Sequence, residues 1–240
     1  MRIVLWDIDG TLVNTGGAGV RALGGAVQAS VGATDALARM RLDGMTDRRI
    51  ARLLCAARQH RDTPEEPIEL LEARVTGAEI DAVLALYLRG LATSLATAEG
   101  YRVLPGVREL LDALEGAVVH ALGTGNIEAG ARLKLEHGGL WHRFAFGGFG
   151  SDAEERPEIL RAARRKAQAQ LGRSLEAEEL VVVGDTPKDI AAAHEAGLCC
   201  VAVASGRHEV HELAQAGADD VLASLDVPDA AERILKARRQ

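Results

Sequence analysis

Apolar positions along the chain follow two periods. Short, nearly continuous apolar runs stand at 3–6 (IVLW), 117–123 (AVVHALG), 144–148 (FAFGG), 180–184 (LVVVG), 199–204 (CCVAVA) and 220–224 (DVLAS). Runs of this length predict strands buried on both faces, as in a parallel sheet. Between them the apolar positions recur with a helical period. PGVRELLDALEG (105–116) opens on Pro105 and closes on Gly116, and IEAGARLKLEHGG (127–139) and PEILRAARRKAQAQLG (157–172) are built alike. KDIAAAHEAG (188–197) follows Pro187 and stops at Gly197. Proline near the start and glycine at the end are the expected helix boundaries. Strands alternating with helices predict an α/β fold, a doubly wound parallel sheet with right-handed crossovers.

Residues from about 15 to about 98 break this alternation. They hold no strand pattern, only helical ones: VRALGGAVQASVG, DRRIARLLCAARQH and AEIDAVLALYLRGLATSL, with DTPEEP (62–67) as an exposed connection. The expected organisation is a core of 1–14 and 100–240 with a helical insertion at 15–99. The borders NTGGAG (14–19) and EGYRVLPG (99–106) read as flexible loops, which suits a cap that hinges over the sheet.

Ligands of an open parallel sheet bind outside the carboxyl ends of its strands, so the residue after each strand carries the chemistry. Asp7 and Asp9 follow the first strand, Thr124, Gly125 and Asn126 follow the run at 117–123, and Asp185 and Asp189 follow LVVVG. Clustered carboxylates repel one another and call for a cation. Oxygen ligands in low number suit Mg²⁺, which also binds phosphate oxygens. One carboxylate can attack phosphorus, and a second can protonate the leaving alcohol and then activate water. Thr124 and backbone N–H groups, including those of Gly10 and Gly125, are candidates for binding the non-bridging oxygens.

DIDGT (7–11), LGTGN (122–126) and VVGDTPKD (182–189) resemble, in order and spacing, the first, second and fourth motifs of the haloacid dehalogenase-like superfamily. The insertion resembles that family's C1 cap, and GADDVLASL (217–225) the end of its fold. The resemblance implies that Asp7 is the nucleophile and Asp9 the general acid/base. It further implies that Asp7, the Asp9 carbonyl and Asp185 hold Mg²⁺, that Asp189 supports the metal, and that Thr124 takes the phosphate. The third motif departs from the family's usual lysine: Arg156-Pro157 stands at its place, and Lys166 one helix length later is the fallback. The implied activity is a Mg²⁺-dependent phosphatase of a small phosphorylated metabolite, phosphoglycolate-phosphatase-like and acting through an aspartyl phosphate. A β-phosphoglucomutase-like phosphosugar mutase shares the same core residues and stays open as the alternative. A non-catalytic relative conflicts with so full a carboxylate set, and a dehalogenase conflicts with Asp9, since halide departure needs no acid.

Composition narrows the partners. The net charge of -7 argues against a general polyanion surface, and 3% aromatics against base-stacking platforms, so no nucleic acid is expected. No apolar stretch approaches the ~18 residues of a membrane span, and only four apolar residues precede Asp7, too few for a signal peptide. Three cysteines, with Cys199 and Cys200 adjacent on a strand, fit small buried core residues in a reducing cytoplasm. A monomer or homodimer is expected.

Weaker signals divide between two readings. In DGMTDRRI (43–50), Thr46 or Asp47 caps the following helix, the segment is a cap loop that touches substrate through Thr46, or both hold. TGGAG (15–19) reads as a hinge rather than a phosphate loop. HEVHE (208–212) spaces its histidines three apart, not the four of a zinc-protease helix, and reads as a surface helix. His120, inside a strand, reads as a core histidine.

Overall fold

The computed structural model describes residues 2–30 and 42–239. Strands β1 (Arg2–Trp6), β4 (Val118–Gly123), β5 (Gly147–Gly148), β6 (Leu180–Gly184), β7 (Cys199–Val203) and β8 (Asp220–Leu222) form one sheet. Their order is β5-β4-β1-β6-β7-β8, and every pairing is parallel. β1 sits mid-sheet because the chain winds first to one side of it and then to the other. Trp6 pairs with Leu122 on β4 and Val183 on β6, so three strands end level with one another at this switch point.

Both sheet faces are covered. Val4 and Trp6 of β1 point into a cluster with α5 (Val107–Ala113), α6 (Glu128–His137) and α10 (Ala230–Lys236). Ile3 and Leu5 point into the opposite cluster with α7 (Arg156–Leu171), α8 (Pro187–Glu195) and α9 (Val210–Gln215). The two-residue strand period makes this split, and it also sends Cys199 and Cys200 to opposite faces, both buried and unbridged. His120 is a core residue: it accepts the Trp6 indole N–H at Nδ1 (3.1 Å) and faces the Leu111 carbonyl with Nε2 (3.2 Å). Burial lowers its pKa, so the neutral ring serves both partners.

The insertion holds α1 (Ala18–Ser30), α2 (Asp47–Asp62), α3 (Ile68–Arg74) and α4 (Gly77–Ala96). The expected end of its first helix, beyond Ser30, lies outside the described residues. These helices bury a cluster of their own, built on Leu54, Ile80, Leu84, Tyr87, Leu91 and neighbours, with Ile127 of the sheet domain joining it. α3 was not foreseen, because two turns after Pro67 are too short to display a period. Among the described residues, no helix is long and apolar enough to cross a membrane.

The borders of the insertion differ from the expected loops. β2 (Val13–Thr15) and β3 (Tyr101–Val103) pair antiparallel as a two-stranded ribbon. Each is three residues long, so neither gives a sequence signal, and each gains its partner only through the fold. The ribbon fixes both connections side by side at the edge of the strand ends.

His120→Phe preserves ring bulk but leaves the Trp6 indole N–H and the Leu111 carbonyl without partners. Urea unfolding should show a loss of about 1–3 kcal/mol; an unchanged midpoint would mean that these bonds contribute nothing.

Candidate active site

The chain after β1 turns back sharply. The amides of Thr11, Leu12 and Val13 all donate to the Ile8 carbonyl, and Gly10 adopts φ +86°. A Cβ at Gly10 would fall on the Asp185 carboxylate, so both the turn and the close approach require glycine here. The Gly10 amide donates to the Val13 carbonyl at 2.9 Å. It is therefore already engaged in the turn, which corrects the expectation that it is free for a phosphate oxygen.

Asp7 is 3% exposed, and its amide is tied to the Val183 carbonyl of β6 at 2.9 Å. Its carboxylate shares a cluster with Asp185 and Asp189, each offering an oxygen within 4.8 Å of the others. Thr11 Oγ1 donates to Asp185 at 3.1 Å. Asp189 is the N3 residue of a capping box: its Oδ2 accepts from the Thr186 amide (3.1 Å) and hydroxyl (2.7 Å) at the start of α8. Thr124, at the end of β4, is buried, stands close enough to the Asp7 carboxylate for its hydroxyl to favour the charged form, and has its amide held by the Gly148 carbonyl (3.1 Å).

Among the described residues, one cation pairs with this cluster. Arg156, the first residue of α7, contacts Asp7 at 3.5 Å, pairs with Asp189, and donates through Nε to the Gly44 carbonyl at 2.9 Å. Lys166 instead reaches Asp152 (2.7 Å) and the Gly147 carbonyl (2.9 Å), away from the carboxylates. The arginine at the third-motif position is thus the residue beside Asp7. Burial dominates the titration of the acids. It pushes Asp7 up to about 7 against the pull of Arg156, and it pushes Asp185 up to about 8 with Asp189 and Asp7 adding to the rise.

Asp9 behaves differently from Asp7. Its carboxylate turns away from the cluster toward Asn126 Nδ2 (2.8 Å) and Lys134 Nζ (2.6 Å), with its side chain 43% exposed. Lys134 escaped the sequence reading, which took 127–139 only as a helix. Its position was legible, though: Ile127, Ala131 and Lys134 follow the apolar stripe of α6, so the lysine points inward. Asp47, expected at most as a helix cap, reaches the sheet domain instead. From the first turn of α2 it accepts the Ile127 amide at 2.9 Å, and burial raises its pKa to about 6 against the pull of Lys134.

A cavity of about 390 Å³ opens between the strand ends and the insertion. Asp7, Asp9, Asn126, Lys134, Arg156 and Asp185 line it from the sheet, and Leu23, Met45, Asp47, Ile50 and Tyr87 from the insertion. Thr46 is not on this wall. Its hydroxyl caps α2 by accepting the Arg49 amide (3.1 Å) and donates to the Glu154 carbonyl (2.7 Å), so its capping role is the one realised. Gly125 serves close approach: its carbonyl accepts the Asp47 amide at 2.8 Å, and a Cβ would lie 2.9 Å from the Met45 carbonyl oxygen. Arg52 adds a two-pronged bond to Glu154 at 2.8 and 3.0 Å, pinning the insertion to the third-motif loop.

The family model described as haloacid dehalogenase-like hydrolase matches residues 1–197. The chain is 28% identical over 238 residues to "Probable phosphatase IndB" of Dickeya dadantii (strain 3937), covering 98% of this chain and 95% of that protein. Among solved structures, a hydrolase from Pseudomonas syringae superposes with a TM-score of 0.70 at 22% identity, over 98% of this chain and 99% of the other. CbbY from Rhodobacter sphaeroides, solved with phosphate, gives 0.64 at 23% identity, over 97% and 96%. The matched span contains every carboxylate of the cluster together with Thr124 and Arg156, and the chain belongs to the haloacid dehalogenase-like hydrolases.

Proposed function

We propose that this hydrolase is a Mg²⁺-dependent phosphatase of a small phosphate monoester, working through a phosphorylated Asp7. The observation that carries the reading is the placement of Asp7: a buried carboxylate with Thr124 and Arg156 beside it, and with Asp9 on the rim of the same cavity. A cation fits the donor set. Three buried carboxylates face one guanidinium, leaving two negative charges to be neutralised, the charge of one divalent ion. Asp7, Asp185 and the Asp9 carbonyl would hold it, with Asp189 supporting through Arg156 and the α8 cap. Bound Mg²⁺ would offset charge on the phosphoryl oxygens and fix the phosphate's orientation.

The chain's own residues then divide the chemistry. Asp7 attacks phosphorus in line, the bond from phosphorus to the leaving oxygen breaks, and Asp9 gives that oxygen its proton. Asp9 next takes a proton from water, the water oxygen attacks phosphorus, and Asp7 is released with inorganic phosphate. Thr124 and Arg156 hold the non-bridging oxygens and stabilise the charge that spreads over them. The insertion acts as a C1-type cap over a cavity that accommodates only small leaving groups and restricts bulk water. The resemblance to a probable phosphatase along almost the whole chain supports the same assignment.

Asp7→Asn should abolish Mg²⁺-supported hydrolysis of p-nitrophenyl phosphate, and full activity in that variant would end the proposal. Arg156→Ala should lower kcat by roughly 10²–10³-fold, as loss of one charge-stabilising donor does; Arg156→Lys should keep more of the rate than Arg156→Ala.

The pH dependence has a definite sign. The raised carboxyls of Asp7, Asp185 and Asp47 hold protons in the fold that the unfolded chain releases near its ordinary value of about 3.9. These groups make the metal-free protein less stable as pH rises from about 4 to about 8, with no further loss above. Mg²⁺ competes with those protons, so it should raise Tm more at about pH 8 than at about pH 5.5. Equal gains at both pH values in a thermal melt would contradict the cluster as the metal's site.

A further inference from the structure

Lys134 is an ammonium at 4% exposure, and a buried charge persists only when it is paired and hydrogen-bonded. Two acceptors meet it: Asp9 Oδ2 at 2.6 Å and Asn126 Oδ1. Tyr87 and Asp47 of the insertion stand close enough to favour its charge. Gly19 at the start of α1 covers it from the front, where a Cβ would lie 3.7 Å from Nζ and 3.9 Å from Tyr87 Oη. The backbone of the same residue is anchored too, because Tyr101 Oη donates to the Lys134 carbonyl at 2.7 Å.

The hold on Asp9 is one-sided. Lys134 Nζ and Asn126 Nδ2 both donate to Oδ2, at 2.6 and 2.8 Å, and among the described residues no hydrogen bond reaches Oδ1. Asn126 Nδ2 also donates to Thr124 Oγ1 at 2.9 Å, so the same pair of side chains connects Asp9 to the Asp7 side of the cavity. A carboxyl gripped by one oxygen and open at the other has the form required of a group that moves a proton at a fixed place.

We propose that Lys134 is the positioning residue for Asp9: with Asn126 it locks the carboxyl rotation so that Oδ1 faces the leaving oxygen of the substrate. This rests on the phosphatase reading given above. Lys134 spends its ammonium on Asp9 and Asn126, so in this proposal it acts through Asp9 and its contribution is confined to the proton transfer made there. Its loss therefore matters most for leaving groups that depend on that proton.

A series of substituted phenyl phosphates, from the dinitrophenyl to the unsubstituted phenyl ester, tests this through kcat/KM, which reports the steps up to departure of the phenol. Lys134→Met should lower kcat/KM for the phenyl ester by about 10²-fold, the scale of a lost general acid, and for the dinitrophenyl ester by less than about 10-fold. Lys134→Arg, which keeps the cation, should restore most of the phenyl ester's rate. Equal losses along the series, or none, would overturn the proposal. Should the methionine variant not fold, as judged by circular dichroism, Lys134→Gln carries the same comparison. Asp9→Asn run in parallel separates the two levels: if it does not steepen the series, the phosphatase roles fail, and if it steepens the series while the Lys134 variants do not, only the positioning role fails.

Discussion

Repulsion among buried carboxylates is the constraint around which this molecule is built. Asp7, Asp185 and Asp189 are each 5% exposed or less, and their oxygens lie within 4.8 Å of one another. Ionised carboxylates out of water cost several kcal/mol apiece unless a partner compensates. Arg156 offers one compensation, and its position follows from the start of α7 against the Gly44 carbonyl of the insertion. The rest of the sheet domain serves this arrangement. Level strand ends bring the acids together, Gly10 lets Asp185 sit against the turn, and the α8 capping box orients Asp189.

Asp7 and Asp9 lie two residues apart and yet occupy different electrostatic settings. Asp7 is enclosed, and its titration is governed first by burial. Asp9 is 43% exposed at its side chain and turned toward Lys134 and Asn126. Separate environments for two neighbouring carboxyls are how one site can supply both a nucleophile and a proton carrier. Insertion and sheet domain meet at the same place: Asp47 bonds the Ile127 amide and Gly125 carbonyl, while Arg52 grips Glu154.

Much of this was legible in the sequence. The continuous apolar runs announced the six-stranded sheet, since strands buried on both faces have no polar positions to blur the signal. The carboxylates were legible because Asp at a strand end has no folding reason to recur on two neighbouring strands, with a threonine ending the third. The β2–β3 ribbon was not legible, because three-residue strands acquire their pattern only from a partner far along the chain. Lys134 was hidden by its charge, although its place on the apolar stripe of α6 gave it away in retrospect. Asp47 read as a possible cap beside Thr46, and its bond to the Ile127 amide joins residues too far apart along the chain to show in the sequence.

The central claim is that Asp7 becomes phosphorylated, and the most direct measurement is to trap that state. The enzyme is mixed with Mg²⁺ and radiolabelled p-nitrophenyl phosphate, quenched in acid within one turnover, and its peptides are mapped. The account predicts label on the peptide that contains Asp7, removable by hydroxylamine as an acyl phosphate is. Phosphate release at full rate with no label on that peptide would contradict it.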